Sequence, residues 1–153
     1  MFKHKLNDRV QSQTYLNWFL MSFVAGFVNV GGFLSCQRFV THVTGFATLA
    51  GVEFSKLNIF EGLGVLSIPI YFLMGVVISG YMTERMLAVH SHEQRFATVL
   101  GLVAVLLALA ALLGVLGFFG KFGESAVLEH DYILLAILCT ASGIQNAALT
   151  SSS

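Results

Sequence analysis

The chain has 153 residues, 56% of them hydrophobic and 10% charged, with eight basic and eight acidic side chains and a mean hydropathy of +0.81. Soluble domains carry about 25% charged residues, so a soluble globular protein could not cover its surface with so few. A disordered chain would need still more charge, and with zero net charge nothing points to a nucleic-acid binder, which needs a basic face.

Four stretches contain no Asp, Glu, Lys or Arg: Val10 to Gln37, Gly62 to Thr83, Phe96 to Gly120, and Tyr132 to Ser153. Each reaches the ~20 residues that a helix needs to cross ~30 Å of hydrocarbon. Strand alternation, which a closed barrel requires, is absent. The sequence therefore predicts an all-α, multi-pass transmembrane helical bundle in a single membrane domain. In lipid a helix satisfies every backbone N–H and C=O within its own segment.

In chain order, residues 1–14 read as a cytoplasmic tail holding Lys3, Lys5 and Arg9. The first span is predicted at 15–34. It is longer than the ~7–15 apolar residues of a signal peptide and lacks a small-x-small exit, so it is expected to stay in the mature protein. Residues 36–57 fit neither a span nor a loop. Small and apolar residues dominate there, but Arg38, Thr41, His42, Thr44 and Thr48 interrupt them, and only fourteen residues separate Arg38 from Glu53. A half-membrane or re-entrant helix is the expected structure, with a short tilted span as the alternative. The second span is predicted at 60–80, where Pro69 is expected to kink it. The third, at 96–119, is the most apolar: from Val99 to Phe119 it holds fourteen Leu, Val or Phe residues, each favouring insertion by about 0.3–0.6 kcal/mol. The fourth is predicted at 132–150.

With four spans, the N-terminal tail and the 81–95 loop share one side. They carry Lys3, Lys5, Arg9, Arg85 and Arg95, against Arg38, Lys56 and Lys121 opposite. The bias favours a cytoplasmic N-terminus in a bacterial cytoplasmic membrane. Cys36 and Cys139 sit among apolar and small residues and read as packing residues.

The first and fourth spans share a pattern. Asn29 is preceded by Gly26, Ala25 and Ser22 at three, four and seven residues. Asn146 is preceded by Gly143, Ser142 and Cys139 at the same offsets. At helical spacing each set lies on one face. Small residues let helices approach closely and an amide can bond across the contact; the other reading is a polar site near the midplane where two repeats meet. Three crossings between the asparagines would make the helices antiparallel, as in an inverted repeat. The polar tail Ser151 to Ser153 after a long apolar run suggests a chain truncated within a second repeat.

The runs AGFVNVGGF (25–33), RFVTHVTGFATLAG (38–51), YFLMGVVISG (71–80) and ASGIQNAAL (141–149) resemble the YoaK family, bacterial multi-pass membrane proteins of unknown function. The most specific pieces are Thr44-Gly45 and Gly143-Ile144-Gln145-Asn146-Ala147. The resemblance implies about six spans in the full family architecture, of which this chain matches the N-terminal two-thirds, and a second Thr-Gly motif after the Gln-Asn run. The family often has Asp where this chain has Asn29, and Asn where it has Phe46. An amide can bond a solute but cannot carry a proton through a cycle.

No catalytic motif appears: nucleophile elbow, phosphate loop and paired carboxylates are all lacking. No enzyme activity, cofactor or metal site is expected. Glu53, Glu61 and Glu84 read as solvated charges at span edges. Arg38 either snorkels to the interface or faces inward to attract an anion, and His42 is either a pocket residue or a structural histidine. The first functional expectation is a small-solute transporter or permease-like protein. Asn29, His42, Thr44, Gln145 and Asn146 would form its substrate site or helix interface, and Gly26, Gly45 and Gly143 would allow close packing. The second is a non-transporting membrane scaffold or accessory subunit. The expected partners are the lipid bilayer, a small solute and, in either reading, a second copy of the chain.

Overall fold

The computed structural model describes residues 8–41, 43–86, 92–119 and 129–151. They form five helices: α1 (Asp8–Cys36), α2 (Val43–Ser55), α3 (Ile59–Met86), α4 (His92–Val115) and α5 (Glu129–Ser151). No strand occurs among the described residues. Three helices contain segments long and apolar enough to cross a membrane: Trp18–Ser35, Ile59–Glu84 and Ala97–Val115. The apolar stretch of α5, Tyr132–Ala148, is shorter.

The helix ends differ from the sequence expectation for local reasons. α1 begins at Asp8 rather than near Tyr15, because Arg9, Gln11 and Gln13 are adequate helix formers and nothing breaks the turn between them and the apolar run. α4 stops at Val115, short of Phe119. Gly117 has φ +72°, its N–H donates to Gly114 O at 3.0 Å, and Phe118 N–H donates to Leu113 O at 3.0 Å. These paired bonds are a Schellman cap, whose left-handed residue is least costly as glycine. Pro69 lies within α3, which remains helical on both sides of it.

α2 has thirteen residues, a rise of about 20 Å, too short for a tilted span across ~30 Å of hydrocarbon. It reaches α3 through a tight turn. Leu57 takes φ +62°, Asn58 N–H donates to Glu53 O at 3.0 Å, and Gly62 N–H donates to Asn58 O at 3.0 Å. The Asn58 Nδ2 donates to Glu53 Oε2 at 3.1 Å, and Lys56 Nζ lies 3.1 Å from Glu53 Oε1. The Asn58 bond, followed by that of Lys56, lowers the Glu53 carboxyl pKa below its ordinary value.

The contacts fix the helix directions. Along α3 and α5, Phe60 meets Tyr132, and Thr140 Oγ1 donates to Tyr71 O at 3.3 Å. Both positions advance together, so α3 and α5 are parallel. Gln145 Nε2 donates to Met21 O at 3.3 Å, whereas Gly32 sits beside Leu138. One position advances as the other recedes, so α1 runs antiparallel to α5.

The core lies where α3 and α5 cross. An added Cβ at Gly143 would overlap the backbone carbonyl of Phe72, and one at Gly75 would overlap that of Thr140. Only glycine permits this backbone-to-backbone contact, and dispersion over a close seam is what holds helices together in lipid. Around it pack Val65 and Ile68 of α3, Phe46 and Ala50 of α2, and Leu135 and Cys139 of α5. A second cluster joins Val99 and Val103 of α4 to Ala141, Ile144 and Ala148 of α5. α1 is peripheral, with 11% of its apolar segment buried. Phe19, Phe23, Phe27 and Val30 all lie exposed. An exposed apolar helix of this length suits lipid rather than water as its solvent.

A polar cavity between the first and fifth helices as candidate functional site

Asn29 and Gln145 anchor α1, each through one end of its amide. Asn29 Oδ1 accepts from Val40 N–H at 3.1 Å and Thr41 N–H at 3.2 Å. Two backbone donors aimed at one atom identify it as the oxygen, which leaves the Nδ2 protons without a partner among the described residues. These bonds tie the link between α1 and α2 back onto α1. Gly32 makes room for the fold-back: a Cβ there would lie 2.7 Å from Val40 Cγ1. Gln145, 3% exposed, spends Nε2 on Met21 O and keeps Oε1 in reserve.

Between these anchors lies a partly open cavity of about 220 Å³. α1 contributes Ala25, Gly26 and Asn29, and the link contributes Thr41. Phe72 of α3 and Ser142, Gln145 and Asn146 of α5 complete it. Ser142 stands apart from most other hydroxyls of these helices. Ser35, Ser67 and Thr83 bond a carbonyl three or four residues back at 2.7–2.8 Å. Ser142, 6% exposed, has no such bond, and no buried side-chain oxygen or nitrogen among the described residues is left unsatisfied. Its hydroxyl and the Gln145 carbonyl therefore open onto the cavity space.

The structure brings together Asn29, Gln145 and Asn146 of the residues singled out by sequence, with Gly26 beside them. His42 lies outside the described residues, as does the side chain of Thr44. The three glycines behave differently from one another. Gly143 is close-packed, but against α3 rather than α1. At Gly26 and Gly45 an added Cβ meets nothing within 4 Å, so close packing at these two is corrected: Gly26 widens the cavity and Gly45 faces outward. Their helices contact neighbours along other faces, which spacing along one helix does not reveal. Sequence reasoning missed Gly75 and Gly32. The signal for Gly75 was its place four residues before Ser79, which is buried, a small-xxx-small pair.

Arg38 neither stands alone nor faces the cavity. Its Nη2 lies 3.4 Å from Glu61 Oε2, so Glu61 is paired rather than a lone solvated charge. Glu53 is likewise bonded. Phe46, 2% exposed, is a core side chain of α2 and serves packing. No three His, Cys, Asp or Glu side chains converge among the described residues.

Long apolar helices, a buried amide and a glycine-sealed crossing are the features of a helical membrane protein. The family model described as "Protein of unknown function (DUF1275)" matches residues 18–153, and the chain belongs to that family. No curated protein and no solved structure matches it.

Proposed function

We propose that this protein is a YoaK-type integral protein of the bacterial cytoplasmic membrane that binds a small solute between α1 and α5 and moves it as a permease does. In this reading α1, α3, α4 and α5 cross the bilayer, α2 is a half-membrane helix, and the N-terminus is cytoplasmic. The antiparallel course of α1 and α5 supports an inverted repeat within a six-span architecture. No catalytic step is assigned. The observation that carries the reading is the cavity of about 220 Å³ with the hydroxyl of Ser142, a residue only 6% exposed, open to it. Polar groups at membrane depth are costly unless they line a cavity or meet a partner. Asn29, Gln145 and Asn146 would bind solute, with His42 and Thr44 contributing from the α1–α2 side.

The test is solute uptake and ligand-induced thermal shift with the full-length protein in proteoliposomes, across a metabolite panel. Gly26→Leu fills the cavity from an open position and is expected to abolish the responses while the protein stays folded. Responses unchanged in Gly26→Leu and Asn29→Leu would refute the site.

A second reading, a scaffold or accessory subunit, is favoured by the open glycines Gly26, Gly45, Gly80 and Gly101, where an added Cβ touches nothing. Such positions suit a docking helix. It predicts that Gly26→Leu dissociates a complex on native gels and that no solute binds.

A further inference from the structure

The cavity's chemistry narrows what it can hold, and this inference rests on the solute-site reading above. None of the described lining residues carries a charge. Arg38 of the fold-back is paired with Glu61 of α3. An ionised ligand would give up part of its hydration here and gain no countercharge from these residues, which costs more than burying a hydrogen-bonded neutral group.

What the walls do offer is a mixed set. Asn29 Nδ2 is a donor, because Oδ1 is held by Val40 and Thr41. Gln145 Oε1 is an acceptor, because Nε2 is held by Met21. The Ser142 hydroxyl can do either. Phe72 adds an apolar wall. A donor on α1 and an acceptor on α5 match a neutral group that offers both a C=O and an N–H, as an amide or a lactam does. A cavity of about 150 Å³ accepts a benzene ring, so about 220 Å³ takes one ring with its substituents.

We propose that the α1–α5 cavity binds an uncharged, single-ring solute carrying an amide or lactam group, with Asn29 donating to its carbonyl and Gln145 accepting from its N–H.

The test uses two matched pairs, nicotinamide against nicotinate and uracil against orotate, on the full chain in nanodiscs by calorimetry and thermal shift. At least one neutral member is expected to bind about tenfold or more tightly than its carboxylate. Ser142→Ala, which keeps the fold, should weaken that binding. Asn29→Asp keeps an oxygen for Val40 and Thr41 but removes the donor, and should abolish it. Carboxylates binding as tightly as the amides, or no binding by either neutral compound at millimolar concentration, would overturn the inference. If carboxylates bind and Ser142→Ala weakens them, the solute site stands and only its neutrality fails. If ligands bind but neither variant affects them, the site itself fails too.

Discussion

α1 and α5 carry the same small-residue pattern and use it in opposite ways. On α5, Gly143 presses against the Phe72 carbonyl and Cys139 is fully buried. On α1, Gly26 and Ser22 are exposed, and two amide contacts and the Gly32 seat tie the helix to its neighbours. A stripe at helical spacing says which residues share a face. It does not say how closely another helix will come. α5 lies in the middle of the fold, in contact with α1, α3 and α4, so its glycine meets backbone. α1 lies at the edge, so its glycine meets a cavity.

The contrast can be broken most sharply at its two glycines. Gly143→Leu should destabilise the protein by about 3 kcal/mol or more, since the clash is with backbone that cannot yield, as read by SDS-titrated unfolding in mixed micelles. Asn29→Leu comes next. It strips an acceptor from the Val40 and Thr41 N–H groups and should cost about 1–3 kcal/mol, with hydrogen exchange rising in the 37–41 link. Asn29→Asp should recover most of that loss. Gln145→Leu removes one interhelical bond, for which about 0.6 and at most ~1.7 kcal/mol is expected by the same unfolding assay. Gly26→Leu should change stability by no more than about 0.5 kcal/mol. A large loss there would show that α1 packs far more tightly than its open glycine implies.

The smallest effect concerns Glu53. Its folded pKa is lowered by the Asn58 bond, so its contribution is present above the unfolded pKa and lost as pH falls through the folded value. Asn58→Ala should move the carboxyl titration upward in a carbon-detected NMR series. No movement would mean that the α2–α3 turn is held by its backbone bonds alone.

The helical fold was legible because lipid demands long charge-free runs, and the gaps between charged residues mark them. The shortness of α2 was visible from Arg38 and Glu53. The helix ends were less legible: the mostly polar Asp8–Thr14 continue α1, and the Gly117 cap ends α4 just before the aromatic pair Phe118-Phe119. Of the candidate site, Asn29 and Asn146 could be found from the repeated pattern, and Gln145 from the motif of the family resemblance. That Asn29 spends its oxygen on Val40 and Thr41 could not, because a fold-back across eleven residues leaves no periodic trace. Nor could the Gly75–Gly143 crossing be seen, since each glycine is informative only beside the other.

The central claim is that polar side chains of α1 and α5 enclose a hydrated space at membrane depth. Ser142→Cys, a near-isosteric change made with Cys36→Ser and with Cys139 in its buried place, tests it in membrane vesicles with a small hydrophilic methanethiosulfonate. Such reagents attack only a hydrated thiolate. The account predicts that residue 142 is modified while a lipid-facing control, Phe27→Cys, is not. An inert thiol at 142 beside a reactive Leu57→Cys on the exposed α2–α3 turn would contradict it.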